Sequence, residues 1–404
     1  MGIPVDGPFA GLKIIDCDSH YSEPYDLWTS RAPAKYKDLV PKVGLNKRGI
    51  LEWSFNGGRL YEAGGHSFVD RAGNKSPMGK FKSYASIAEG MKWDEIHEAS
   101  YDPVARTELL DQLGIWAQVV YPNAFGFAAG YLVTCPDKEL ARTVVAIYND
   151  AMAEWQEAGK GHLLPQAVLP FWDIDAAVKE AQRVKELGLR GVTIPGEPQV
   201  AGLPDPGQPD WEPLYEALSD LELPINIHIG ASRVSKDSRA FCHWESLDAR
   251  ETKPVNAIQS ELHNSRFMAN MLVSDLILRY PKLRWVSVES GIGWIPYVFE
   301  RIDYDYRERF PNYPDFPEPT LPPARDLFRK GMYASFWFEY AAPTYLLEYI
   351  GVDNILWETD FAHPTCLYPD PVGRAAELFK DTDPAIVKKI MQDNGANLYK
   401  VDVA

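Results

Sequence analysis

Eight short runs rich in β-branched, aliphatic and aromatic residues alternate with longer amphipathic stretches, and this alternation constrains the fold more than any other feature. The runs are LKIIDCD (12–18), WAQVVYP (116–122), LLPQAVL (163–169), RGVTIP (190–195), PINIHIG (224–230), RWVSVES (284–290), MYASFWF (332–338) and NILWETD (354–360). Strands separated by helices pair in parallel, because each crossover brings the chain back to the same end of the sheet. Eight of them predict an α/β fold of the (β/α)8 TIM-barrel type. A doubly wound open sheet competes, but it would carry a Gly-rich phosphate loop after its first strand. Here the first strand runs into Asp16-Cys17-Asp18-Ser19-His20, and neither G-x-G-x-x-G nor a P-loop occurs.

The intervening segments have legible helix ends. Asp102 caps a helix with Pro103 in its first position and Gly114 just past its end. Ala177, Ala181, Val184 and Leu187 share one face of a second helix closed by Gly188, and Asp210 is the expected cap of a third. A barrel needs roughly 250 of the 404 residues. The surplus is expected within one domain, 1–404, as a long insertion after the first strand (approximately 30–100) and a proline-rich excursion before the seventh (approximately 310–325). In the insertion, Asn56-Gly57-Gly58 between alternating aromatics reads as a hairpin turn.

Composition excludes several function classes. With 41 basic against 57 acidic residues, the net charge of −16 gives no basic footprint for nucleic acid or an anionic membrane. Four scattered cysteines make no disulfide framework, and the N-terminus has no charged-then-apolar leader. No apolar run approaches the roughly 20 residues of a membrane span. The expectation is a cytoplasmic protein acting on a small molecule, forming a homo-oligomer, with a hetero-oligomer as the alternative.

Barrel enzymes carry their reactive groups at the C-terminal ends of the strands. Here strand one ends in Asp16, Asp18 and His20, which a strict period of two places on one face. Strand five ends in His228, strand six in Glu289, and strand eight in Glu358-Thr359-Asp360 with His363 beyond. Imidazoles and carboxylates converging on one rim make a ligand set for a divalent transition metal: zinc first, manganese or iron as alternatives. Tyr121 and Asn123 at the end of strand two are substrate-side candidates. So are Arg233, His243 and His263 in the segment after strand five, and His363. Arg233 suits bidentate contact with a substrate carboxylate. No G-x-S-x-G elbow and no H-E-x-x-H motif is present.

The segments IIDCDSH, PINIHIG, RYPKLRWVSVESGIGWIPYVFERID and ILWETDFAHPT together resemble the amidohydrolase-2 branch of the amidohydrolase superfamily. That group of metal-dependent barrels includes aminocarboxymuconate-semialdehyde decarboxylase. Position by position, the resemblance implies a metal held by Asp18, His20, His228 and Asp360, with His228 and Asp360 also in catalytic roles. It departs in two places. Asp18 stands where the family more often has His or Glu, and Glu289-Ser290-Gly291 stands where the decarboxylases carry a catalytic His. Glu289 is therefore the expected catalytic base, or with Asp16 a ligand of a second metal.

The implied activity is hydrolysis of a C–N, C–O or C–C bond by activated water. Non-oxidative decarboxylation of an aromatic or enoic acid is the alternative. Further alternatives are dinuclear Fe/Mn oxygenase chemistry and a non-catalytic partner subunit.

Overall fold

A computed structural model of the chain describes residues 3, 7–76, 91–124, 129–232, 244–308 and 320–403. Its first barrel strand is split into β1 (Ile15–Asp16) and β2 (His20–Tyr21). The insertion carries β3 (Lys42–Leu45), β4 (Leu51–Phe55) and β5 (Gly58–Glu62). The ring continues through β6 (Ala117–Pro122), β7 (Leu163–Pro165) with β8 (Ala167–Val168), β9 (Val192–Thr193) and β10 (Ile225–His228). It ends with β11 (Trp285–Val288), β12 (Met332–Phe336) and β13 (Ile355–Trp357).

Every barrel pairing is parallel, and neighbours in sequence are neighbours in space. The strands β7 and β8 form one run, since the Gln166 amide between them still donates to Val120 O (2.8 Å). The last strand meets the first through Cys17 N to Trp357 O (2.9 Å) and Asp360 N to Asp18 O (3.0 Å). All eight runs seen in the sequence are strands of this barrel.

Two apolar layers follow from the alternation. Ile225, Ile227 and Trp285 pack outward against helix residues such as Leu214 and Phe267. Val119, Leu164, Val286, Val288 and Leu356 fill the interior with Leu398 and Tyr399 of the C-terminal helix Asn394–Tyr399. The helix Pro103–Leu113 begins as expected, with the Asp102 side chain accepting from Ala105 N and Gly114 in the left-handed region. Asp210 does not cap its helix. It sits inside a 3-10 turn, Pro209–Trp211, that leads straight into Glu212–Asp220 and so leaves no cap position for it.

The insertion holds an antiparallel sheet, β3–β4–β5, whose turn residues Asn56 (φ +49°) and Gly57 (φ +75°) are both left-handed. That pair is what a two-residue hairpin turn requires. Of the proline-rich excursion, residues 309–319 lie outside the described residues, and Pro323 precedes the helix Ala324–Gly331. Among the described residues no helix is long and apolar enough to cross a membrane.

One irregularity redirects the first strand. Asp16 pairs with Gln118, but His20 pairs with Tyr121, so the first strand spends one residue more than its partner. This is a bulge, and an extra residue reverses the facing of everything beyond it. Asp18 and His20 therefore face the barrel mouth, whereas Asp16 turns to Gln118 and Thr359. The strict period of two expected for these three acids and imidazoles fails for this reason.

Candidate metal centre

Strand ends bring five residues to one point. Asp18 and His20 come from the bulged first strand, His228 from the end of β10, Glu289 from the residue after β11, and Asp360 from beyond β13. His228 Nε2 lies 3.2 Å from His20 Nε2, 3.6 Å from Asp18 Oδ1 and 3.2 Å from Glu289 Oε2. His20 Nε2 lies 3.7 Å from Asp18 Oδ1 and 3.5 Å from Asp360 Oδ1. Ligands about 2.1 Å from one ion in tetrahedral or octahedral array stand roughly 3.0–3.4 Å apart. The observed spacings are of that order.

The backbone is bent to achieve this. Glu289 (φ +54°) and Asp360 (φ +58°) both occupy the left-handed region, which costs about 1–3 kcal/mol per residue and persists only where surroundings impose it. Glu289 N donates to Ser335 Oγ (3.2 Å) and Asp360 N to Asp18 O, so neighbouring strands pin both turns. His228 Nδ1 donates to its neighbour's carbonyl, Ile229 O (2.8 Å), which leaves the Nε2 lone pair directed into the cluster.

The residues fit a cation and little else. Both oxygens of Asp18 are buried with no hydrogen-bond donor, a state that costs several kcal/mol unless a positive charge faces them. Burial, then Asp360 and Asp16, push the Asp18 carboxyl well above the usual carboxylate range. Burial, Asp360 and Asp18 do the same to Glu289. Burial lowers the His228 imidazole to about 4, keeping it neutral as a ligand must be. A divalent cation reverses the penalty on the carboxyls and needs the neutral imidazoles as they are.

The remaining expected residues have other places. Asp16 is no candidate ligand. Its Oδ1 accepts from Asp18 N (3.2 Å) and Thr359 N (2.8 Å), and its Oδ2 from Gln118 Nε2 (2.6 Å) and Thr359 Oγ1 (2.5 Å), so the bulge has made it an anchor between strands one, two and eight. His363 stacks on His20 (centroids 3.6 Å, interplanar angle 20°) and places Nδ1 3.0 Å from Asp360 Oδ1. Asn123 Oδ1 meets His363 Nε2 at 2.8 Å. Tyr121 is buried with its ring 5.0 Å from that of His228. His263 pairs with Glu197 (2.9 Å), which also pairs with Arg266 (2.8 Å). Arg233 and His243 lie outside the described residues.

Two contributors left no mark in the sequence. Arg106, fully buried on the helix Pro103–Leu113, donates to Gln118 Oε1 (2.7 Å), His20 O (2.7 Å), Ser19 Oγ (3.3 Å) and Ala99 O, tying the first two strands together beneath the ligands. Glu23 is buried and accepts from Asn123 N (2.9 Å) and Ala124 N (3.0 Å). Their partners are backbone groups or uncharged side chains, so no spacing rule finds them.

The sequence model of the amidohydrolase family matches residues 102–401. No curated protein matches the sequence. The fold is similar to that of an amidohydrolase from Mycobacterium avium subsp. paratuberculosis, with TM-score 0.70 and 22% identity over 96% of this chain and 99% of that one. It is also similar to 5-carboxyvanillate decarboxylase from Sphingomonas paucimobilis (TM-score 0.61, 18% identity, 97% and 100% of the two chains). A third likeness is to a dihydroxybenzoic acid decarboxylase from Polaromonas with bound manganese and the inhibitor 2-nitroresorcinol (TM-score 0.57, 20% identity, 97% and 98%).

Proposed function

Because the chain belongs to the amidohydrolase family of enzymes, we propose that it is a metal-dependent hydrolase cleaving a C–N, C–O or C–C bond of a small organic molecule. Asp18, His20, His228 and Asp360 hold the ion in this reading. A divalent ion supplies positive charge that lowers the pKa of water towards neutrality or polarises a substrate oxygen. The nitrogen-and-carboxylate set suits zinc, manganese or iron, and the manganese in the Polaromonas decarboxylase supports manganese alongside zinc.

The observation that carries hydrolysis is the carboxylate at position 289, with Oε2 3.2 Å from His228 Nε2. A carboxylate there accepts the proton of the attacking water and returns it to the leaving group. His228 and Asp360, fixed by Ile229 O and by the strand-one backbone, keep the ligands from following the reaction. Non-oxidative decarboxylation is the second reading, favoured by the decarboxylases among similar folds.

The test is Glu289→Gln in protein loaded with Zn²⁺ or Mn²⁺, against panels of small amides, esters, lactones and aromatic acids. Hydrolysis lost by 10²–10⁴-fold, with metal content retained, supports the reading. Undiminished hydrolysis by the variant, or turnover of aromatic acids alone with CO₂ release, refutes it.

A further inference from the structure

The insertion after the first strand brings a side chain to the barrel mouth. Gly65 O accepts from Ser22 Oγ, two residues beyond His20, and Phe68 N donates to Ala362 O (2.8 Å), two residues beyond Asp360. The four residues from Gly65 to Phe68 therefore cross the seam between the first and last strands, with His66 inside the span. Met91 ties this segment twice: its carbonyl accepts from Gly65 N (2.7 Å) and its N–H donates to Ser67 O (3.0 Å). Ser100 Oγ meets Ser67 Oγ at 3.0 Å. A Cβ at position 65 would stand 2.6 Å from Ile96 Cγ2, so the segment is packed as well as tied.

These ties hold His66 in a costly place. The residue is buried, and its backbone lies in the left-handed region (φ +48°), which a non-glycine residue keeps only where its surroundings impose it. Among the described residues seven non-glycine positions have positive φ, and His66 joins Glu289 and Asp360 as the third of them at the mouth. Its ring bears on His20: burial, then His363, His228, Arg106 and His66, hold the His20 imidazole well below the usual histidine range. Glu289 follows β11, two strands round the ring from the last strand, so His66 and Glu289 approach the mouth from different sides. An imidazole has at least one N–H to donate whether neutral or protonated.

We propose that His66 is a substrate-binding residue that donates a hydrogen bond to the acyl oxygen of the scissile bond. The inference rests on the hydrolase reading above and narrows it to acyl compounds: amides, esters or lactones. Water adds to the acyl carbon, its proton passes to Glu289, and the electron pair of the carbon–oxygen π bond moves onto the acyl oxygen. His66 stabilises the charge that develops there. The pair then returns, and the leaving group departs with the proton held by Glu289.

The probe is inorganic phosphate, whose tetrahedral oxyanion matches that adduct in shape and charge, titrated calorimetrically into protein loaded with Zn²⁺. His66→Ala is expected to bind phosphate roughly 10–100-fold more weakly than wild type, as loss of a hydrogen bond to a charged group does, with equal metal content. His66→Gln keeps an N–H donor and is expected to recover most of the affinity. His66→Gly suits the φ +48° backbone and replaces His66→Ala should that variant misfold. On whichever amide, ester or lactone the wild type hydrolyses, His66→Ala should lose roughly 10²–10³-fold in kcat with little change in KM. Equal phosphate affinity in all variants, a loss that His66→Gln shares in full, or no phosphate binding by metal-loaded wild type overturns the role of His66 and leaves the hydrolase reading standing. Protein that takes up no Zn²⁺ overturns that reading itself.

Discussion

The buried Glu23 carboxyl makes a stability prediction whose sign is unusual for an acid-to-amide change. Burial raises its pKa from the ordinary 4.5 to about 8, against the opposing pull of the backbone N–H groups of Asn123 and Ala124. Its other oxygen, Oε2, has no hydrogen-bond partner. A folded pKa above the unfolded one means that the unfolded chain releases its proton first as pH rises. Stability present below pH 4.5 is therefore lost progressively up to pH 8. At about 1.36 kcal/mol per pH unit, the loss amounts to about 3 kcal/mol at pH 7 and about 4 kcal/mol at pH 8, where the folded carboxyl is itself half titrated.

Glu23→Gln keeps the accepting Oε1 and abolishes the titration. Its amide N–H groups take the place of the unpartnered Oε2 and cost about 1 kcal/mol. The variant is thus expected to be more stable than wild type by about 2 kcal/mol at pH 7 and about 3 kcal/mol at pH 8, with the difference vanishing by pH 5. Urea midpoints of the first cooperative transition, measured from pH 5 to pH 8 with saturating metal, read this out. A variant less stable than wild type at pH 8, or parallel pH profiles, would show that the folded carboxyl is ionised and that the burial argument is wrong.

Other perturbations test the supports of the site. Thr359→Val removes the hydroxyl donor to Asp16 Oδ2 and should lower stability by about 2 kcal/mol in urea titration; an unchanged midpoint would mean the Asp16 anchor does not bear on the fold. Gly395→Ala drives a Cβ to 2.9 Å from Ile15 Cγ2 and 3.0 Å from Cys17 Sγ, behind the ligand-bearing strand. It should cost about 1–3 kcal/mol and weaken Mn²⁺ binding as the strand shifts; wild-type affinity would show that the bulge absorbs the displacement. Chelation should lower the thermal midpoint, since the native state alone gathers the ligands, by about 4 kcal/mol of stability where free metal had stood at 1,000 times its Kd. Equal midpoints with and without chelator would rule out a bound ion.

Much of the architecture was legible because it rests on local periodicity. The eight strands, the Asp102-Pro103 helix start, the Gly114 stop and the Asn56-Gly57 turn each follow from what one residue type does to its own backbone. Asp18, His20, His228, Glu289 and Asp360 were legible as a group because strand ends in a barrel converge. Asp16 was misplaced because a single-residue bulge cannot be read from alternation. His363 was seen but not its setting, which depends on a contact with Asn123, 240 residues away in sequence. Arg106 and Glu23 were invisible for a related reason: a buried ionisable side chain bonded only to backbone groups and uncharged side chains has no complementary charge to pattern against.

The seam where the final strand meets the first also sets when the centre comes into being. Thr359 and Asp16, whose side chains join across it, are 343 residues apart. At roughly 5–20 residues per second of translation, Asp18 and His20 leave the ribosome roughly 20–70 s before Asp360 and the acceptor of their bulge arrive. Throughout that interval the nascent chain carries half a chelate on a strand that can pair with β6 along one edge while its other edge stays open, which makes the opening residues the part most exposed to mispairing and most dependent on whatever shelters emerging polypeptides.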